Sequence, residues 1–166
     1  MKPNNFIKEQ VAKSLDENPQ NKYVYLHYGD DDSFEDYNLD EYEVANEAEK
    51  IAKNEQVTIL RDKNLTGILL DVENKKVIGG LWVSDDSEKF SFDIAIDSSY
   101  QNMGLSNTLI KNAISEYRFQ KEAYEDGEFK IEVDVINPKL AQILKNKYGF
   151  YVVSEISPTR VLMSMD

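Results

Sequence analysis

Few sequence features constrain a fold as tightly as a strand that runs into a small polar loop and restarts at once as a helix. This chain has such a stretch in Ile94-Ala95-Ile96-Asp97-Ser98-Ser99-Tyr100-Gln101-Asn102-Met103-Gly104-Leu105-Ser106. Apolar residues then recur at Leu105, Leu109, Ala113, Ile114 and Tyr117, the spacing of one helical face. Such a junction gathers unpaired backbone N–H groups at the helix start, with the positive end of its dipole behind them. That combination attracts phosphate. Gly104 is the only glycine in the loop, so this is neither a Walker sequence nor a dinucleotide GxGxxG fingerprint. An ordinary strand-to-helix turn has the same local grammar, so the flanking elements decide.

Residues 5–16 carry Phe6, Ile7, Val11 and Leu15 at helical spacing, and Asn18-Pro19 closes that segment. Lys22 to Tyr28 alternates as a strand, with Tyr23, Tyr25 and His27 on one face, where His27 packs or hydrogen-bonds. A helix is expected from about Leu39 to Asn54, and Val57 to Leu60 is a connector or a brief strand. Thr66–Val72 and Lys76–Val83 read as strands joined at Glu73-Asn74-Lys75, and Gly79-Gly80 marks a bulge or a close backbone approach. A third strand, Phe90–Asp97, enters the loop, and the helix from Leu105 to about Ala123 leads to strand Phe129–Ile136. A β-α-β crossover makes that strand parallel to Phe90–Asp97. Asn137 then suits an N-cap, Pro138 a first helical position and Gly149 a helix stop. Strands Phe150–Ser157 and Thr159–Met165 make a hairpin about Pro158. The fold class is α/β with a mixed sheet: a meander, a β-α-β-α crossover and a C-terminal hairpin.

Composition narrows the chemistry. The 166 residues suit a single domain, with residues 1–56 an acidic N-terminal part and 57–166 the core. Cysteine is absent and His27 is the one histidine, which removes thiol nucleophiles, disulfides and two-histidine metal motifs. No metal site is expected. An EF-hand register over Asp30–Glu41 fails, because Phe34 and Glu35 stand where a ligand and the turn glycine belong. The N-terminus lacks a signal-like apolar run and nothing approaches a membrane span, so a cytoplasmic protein is expected. The net charge of −12 disfavours nucleic acid and anionic membrane as partners. Residues 30–49 hold ten carboxylates and no Lys or Arg: a solvated acidic face, or an acidic wall that favours a cationic partner or substrate.

Gln101, Gly104 and Ser106 resemble the pyrophosphate loop Gln/Arg-x-x-Gly-x-Gly/Ala of the GNAT N-acetyltransferase superfamily, with Ser106 replacing the last small residue. Asn137 and Gly149-Phe150 fall where that family has its second motif, and the likeness covers about residues 66–157, and more loosely the strand at 22–28. The resemblance implies acetyl-CoA as cofactor, its pyrophosphate on the backbone of Gln101, Asn102, Met103, Gly104, Leu105 and Ser106. Its pantetheine arm would lie against Ile94, Ala95 and Ile96, with Asn137 facing it or simply capping its helix. An amine acceptor would attack the thioester directly. Attack needs a base, and Asp93, Glu132 and Asp134 lie on the flanking strands, with Asp93 the first candidate.

The family's thiolate-protonating tyrosine would fall on Leu144 counted from Asn137, or on Lys145 counted from Gly149. Tyr148, a turn later, is the one tyrosine of that helix; it is the candidate acid, or it packs with Leu144 and Phe150. Without an acid, water protonates the thiolate. A rival reading makes the chain a non-catalytic acidic interaction protein, a pseudoenzyme of that family or a nucleic-acid mimic, docking on a basic partner. Monomer and homodimer remain equally open.

Overall fold

Ser91 is the residue around which the architecture turns. Two antiparallel-rich sheets meet there, in a computed structural model that describes residues 22–59, 62–124 and 128–166. In chain order the elements are β1 (Tyr23–His27), α1 (Asp31–Asp36), α2 (Glu41–Asn54), β2 (Lys63–Asp71), β3 (Lys76–Ser84), β4 (Lys89–Phe90) and β5 (Phe92–Ile96). A single 3-10 turn at Ser98–Tyr100 precedes α3 (Leu105–Tyr124), β6 (Lys130–Val135), α4 (Pro138–Tyr148), β7 (Tyr151–Ser157) and β8 (Arg160–Met165). The first sheet runs β1-β2-β3-β5, all antiparallel; the second runs β4-β6-β8-β7. The crossover through α3 makes β4 and β6 parallel, at Lys89↔Lys130 and Phe90↔Ile131.

Two apolar layers hold this arrangement. Leu69, Leu81 and Phe92 from the first sheet and Ile131 and Met163 from the second pack under Leu109 and Ile110 of α3. On the other face of the first sheet, Leu26, Ile68, Leu70 and Trp82 pack against Phe34 of α1 and Val44 and Ile51 of α2. Each such side chain contributes about 1.5–3 kcal/mol on burial. Local capping sets the ends of the longer helices. Asp40 caps α2 by accepting from the N–H of Tyr42 and Glu43, Asn137 caps α4 by accepting from Lys139, and Gly149 ends α4 in the left-handed region at φ 73°.

Several expectations are corrected. The strand expected over Phe90–Asp97 is two pieces that change partners at Ser91, because β3 draws Phe92–Ile96 into the first sheet. The acidic run contains a one-turn-plus helix, α1, made stable by burial of Ser33 and Phe34 rather than by periodicity. The long acidic helix begins at Glu41, not Leu39, because Asp40 is its cap. β2 begins at Lys63, three residues before Thr66. At Gly79-Gly80 the close approach is real: a Cβ on Gly79 would lie 2.9 Å from the Ala95 carbonyl, and one on Gly80 would lie 2.7 Å from the Trp82 ring. The register also slips beside them, Leu69 pairing with Gly79 and Leu70 with Val77. His27 sits edge-on to the Tyr25 ring at 5.3 Å. Val57 to Ile59 lies in no strand. The helix expected at 5–16, and Leu60, lie outside the described residues.

Candidate active site

The opening between the sheets follows from backbone hydrogen bonding. Ser84 N–H donates to the Ser91 carbonyl and its hydroxyl accepts from Ser91 N–H, both at 2.9 Å, which pins the corner. At the far end Asp97 N–H donates to the Ile78 carbonyl. Antiparallel ladders alternate, so Asp93 and Ala95 also turn their backbone toward β3. The N–H and C=O groups of Phe92, Ile94 and Ile96 therefore face away from β3. β6 pairs with β4 only as far as Ile131, so beyond it β5 and β6 diverge. An extended chain entering there would find main-chain partners on Ile94, in the manner of a strand added to a sheet edge.

The polar loop closes one end of this opening. Asp97 accepts from Ser99 N–H and starts the 3-10 turn, and Tyr100 donates to Asp71 Oδ2 at 2.8 Å. Burial pushes the Asp71 carboxyl up, but hydrogen bonds from Asn74 and Tyr100 outweigh it and leave the group below its ordinary range. Gln101 spends its side-chain amide on the loop itself, donating to the Ile96 carbonyl at 3.0 Å and to Glu55 Oε1 at 2.6 Å. Asn102 and Gly104 take left-handed backbone at φ 66° and 78°. Among the described residues, no acceptor is found for the N–H groups of Asn102, Met103, Gly104, Leu105 and Ser106. These donors, the start of α3 behind them and Lys139 Nζ at 3.3 Å from Asn102 Oδ1 make an anion-ready corner. Leu105 itself is buried as an anchor of α3.

On the opposite face stand carboxylates. Asp93 pairs in register with Trp82, so it shares the face that Trp82 and Ala95 present to α2. Glu132 and Asp134 alternate with the core residues Ile131, Val133 and Val135, and so project from the face of β6 away from α3. Asp93 and Asp134 each lie three residues beyond Phe90 and Ile131, the last pair to stay in register. Lys63 Nζ lies 2.8 Å from Asp93 Oδ2. Burial pushes the Asp93 carboxyl above the ordinary aspartate range; Lys63 opposes this and the charges of Asp134 and Asp62 add to it. Asp134 is gripped by Arg160, whose Nε lies 2.8 and 2.9 Å from its two oxygens, and that bond holds its carboxyl low against partial burial.

The remaining candidates divide. Asn137 is an exposed cap. Tyr148 packs on the core beneath α3, and its hydroxyl donates to Asn107 Oδ1 at 2.9 Å, bracing α4 against the first turn of α3. Asp93 faces the other side, and the structure does not bring the two together. Lys63 was missed by the sequence reading, since a lone lysine before a strand looks solvated. Extending the Glu73–Lys75 hairpin register back to Lys63↔Ser84 is the signal that brings it level with the corner.

No family model matches the chain, and no curated protein matches it. Solved structures do. The ribosomal-protein-S18-alanine N-acetyltransferase of Escherichia coli is similar at TM-score 0.54 and 16% identity, over 86% of this chain and 92% of that one. A GNAT-family acetyltransferase of Streptococcus pneumoniae is similar at TM-score 0.53 and 15% identity, covering 86% and 98%. An acyl-CoA N-acyltransferase of Pseudomonas aeruginosa is similar at 0.54 and 14%, covering 87% and 98%. The chain has the GNAT acyltransferase fold.

Proposed function

We propose that this chain is an acetyl-CoA-dependent N-acetyltransferase acting on the primary amine of a cationic acceptor. One observation carries the reading: the parting of β5 from β6 at Ser91, where, among the described residues, the backbone of Ile94 along one wall and the N–H groups from Asn102 to Ser106 at its end are unpaired. Those groups fit the cofactor: amide donors for a pyrophosphate and a strand edge for the amide-bearing pantetheine arm. Bound there, acetyl-CoA supplies a thioester carbonyl open to a neutral amine. Asp93 takes the proton that the attacking nitrogen loses as the new C–N bond forms. Water would protonate the leaving sulfur, and Tyr148 keeps its bracing role.

The acceptor's charge is read from placement. α1 and α2 lie on the same face of the first sheet as Asp93, and every carboxylate from Asp31 to Glu49 is exposed on them or beside them. Reversing Glu43 and Glu47 of α2 together to Lys should raise KM for a polyamine about threefold or more at low salt, shrinking as salt is added. The KM for acetyl-CoA should not rise. The test is release of free CoA with a panel of polyamines, lysine-bearing peptides and neutral amines. Preference for neutral amines, or a polyamine KM unmoved by the reversals, would contradict the cationic assignment.

The same exposed carboxylates, and Leu144 and Lys145 where the family has its tyrosine, favour the docking role as a second reading. The two part on cofactor. A docking module tolerates Gly104→Glu and loses its basic partner at high salt.

A further inference from the structure

We propose that Lys63 is a positioning residue for this reaction: its ammonium, 2.8 Å from Asp93 Oδ2, holds that carboxylate charged and fixed at the mouth of the opening between β5 and β6. The inference rests on the acetyltransferase reading and assigns a role to a residue outside the family motifs. Lys63 and Asp93 lie 30 residues apart, and Lys63 reaches past β3 to meet its partner.

The pair is almost dry, with side chains 6% and 15% exposed. A buried ion pair seldom stabilises a fold more than apolar side chains of the same size would. This one sits where the strands part, beside a carboxylate whose charge the chemistry needs. The charged groups facing Asp93 are Lys63 and Asp62 at the start of β2 and Asp134 on β6, itself bound by Arg160 of β8. Two of these neighbours are carboxylates and burial also opposes ionisation, so Lys63 is the group that favours the charged form. Its short bond also fixes which oxygen remains for the amine: Oδ2 is engaged and Oδ1 is left to accept. The proton path is balanced. The acceptor nitrogen forms its bond to carbon and gives its proton to Asp93, the C–S bond breaks, the thiolate takes a proton from water, and Asp93 returns its proton to the hydroxide left behind.

The test uses the full chain with Lys63→Met, Lys63→Arg, Asp93→Asn and the Lys63→Met/Asp93→Asn double variant. In the unliganded protein, 13C carboxyl NMR follows the Asp93 titration, which Asp93→Asn identifies by its loss. Lys63→Met should move that midpoint to higher pH and Lys63→Arg should return it. In acetyl transfer, Lys63→Met should lower kcat at least ~10-fold with KM for acetyl-CoA unchanged, Lys63→Arg should recover most of it, and Lys63→Met should add no further loss once Asp93 is Asn. An unmoved titration, or an equal loss in the presence and absence of Asp93, overturns the proposal. If Lys63→Met folds poorly, Lys63→Arg and the double variant still decide it. Wild-type protein that binds no acetyl-CoA and transfers no acetyl overturns the enzymatic reading, and this role with it. Wild-type turnover that Lys63→Met leaves intact overturns this role alone.

Discussion

Exchanging Asp93 for Asn should lower kcat for acetyl transfer by about 10²–10⁴, with KM for acetyl-CoA almost unchanged. The substitution keeps shape and an oxygen for Lys63, and removes only the ability to take a proton. Asp93 lies on β5, outside the loop from Asn102 to Ser106, so cofactor binding should not sense it. The pH profile carries a sign. Asp93 must be ionised to act, so activity is present above its pKa and lost as pH falls through it. Burial raises that pKa, so the acid limb should lie above the range of an ordinary aspartate. A lysine-like acceptor adds its own rise toward ~10.4. Steady-state kinetics across pH checks both. An Asn variant with wild-type kcat, or one whose only defect is acetyl-CoA binding, would remove Asp93 from the chemistry.

Gly67→Ala should cost about 1–3 kcal/mol of stability, a fall of roughly 3–10 °C in Tm, through overpacking. A Cβ built there would lie 2.0 Å from the Tyr25 hydroxyl and 2.2 Å from the ring carbon bearing it. The Tyr25 ring, 1% exposed, lies over Gly67 from the neighbouring strand and cannot swing into solvent. Its hydroxyl is the one fully buried side-chain polar atom without a hydrogen bond among the described residues. Burial, with the Glu116 charge a smaller contribution, pushes that hydroxyl far above the usual phenol range, so it stays neutral. Tyr25→Phe should therefore be neutral or mildly stabilising, since removing an unsatisfied buried hydroxyl removes a desolvation cost. Thermal melts should place Gly67→Ala below and Tyr25→Phe at or above the natural chain; a Gly67→Ala chain that melts with or above the natural one would make Gly67 merely a spacer.

What could be read from the sequence divides along physical lines. The loop from Asp97 to Gly104, the Asn137 cap, the Gly149 stop and the hairpin at Pro158 rest on local backbone chemistry, which a sequence carries within a few residues. The partner switch at Ser91 does not. Lys89–Ile96 has one continuous strand pattern, and only the competition between β3 and β6 for its two ends divides it. Helix α1 was hidden because six residues cannot show a period, and Phe34 makes it a helix by tertiary burial. The Lys63–Asp93 pair was hidden because its partners meet across a third strand. Tyr148 illustrates the same limit, since its bond to Asn107 spans 41 residues.

Thermal unfolding with and without acetyl-CoA, for the natural chain and for Gly104→Glu, tests the central claim most directly. Gly104 holds φ 78° with its nearest foreign atom 4.0 Å away, so a side chain there meets backbone strain, and a glutamate places a carboxylate among the N–H groups proposed to bind the pyrophosphate. At ~100 times its dissociation constant, acetyl-CoA should stabilise the natural chain by about 2.7 kcal/mol, a rise of roughly 5–10 °C. The Gly104→Glu chain should melt cooperatively and show no rise. Equal behaviour of the two, whether both rise or neither does, would contradict a cofactor site built on this loop.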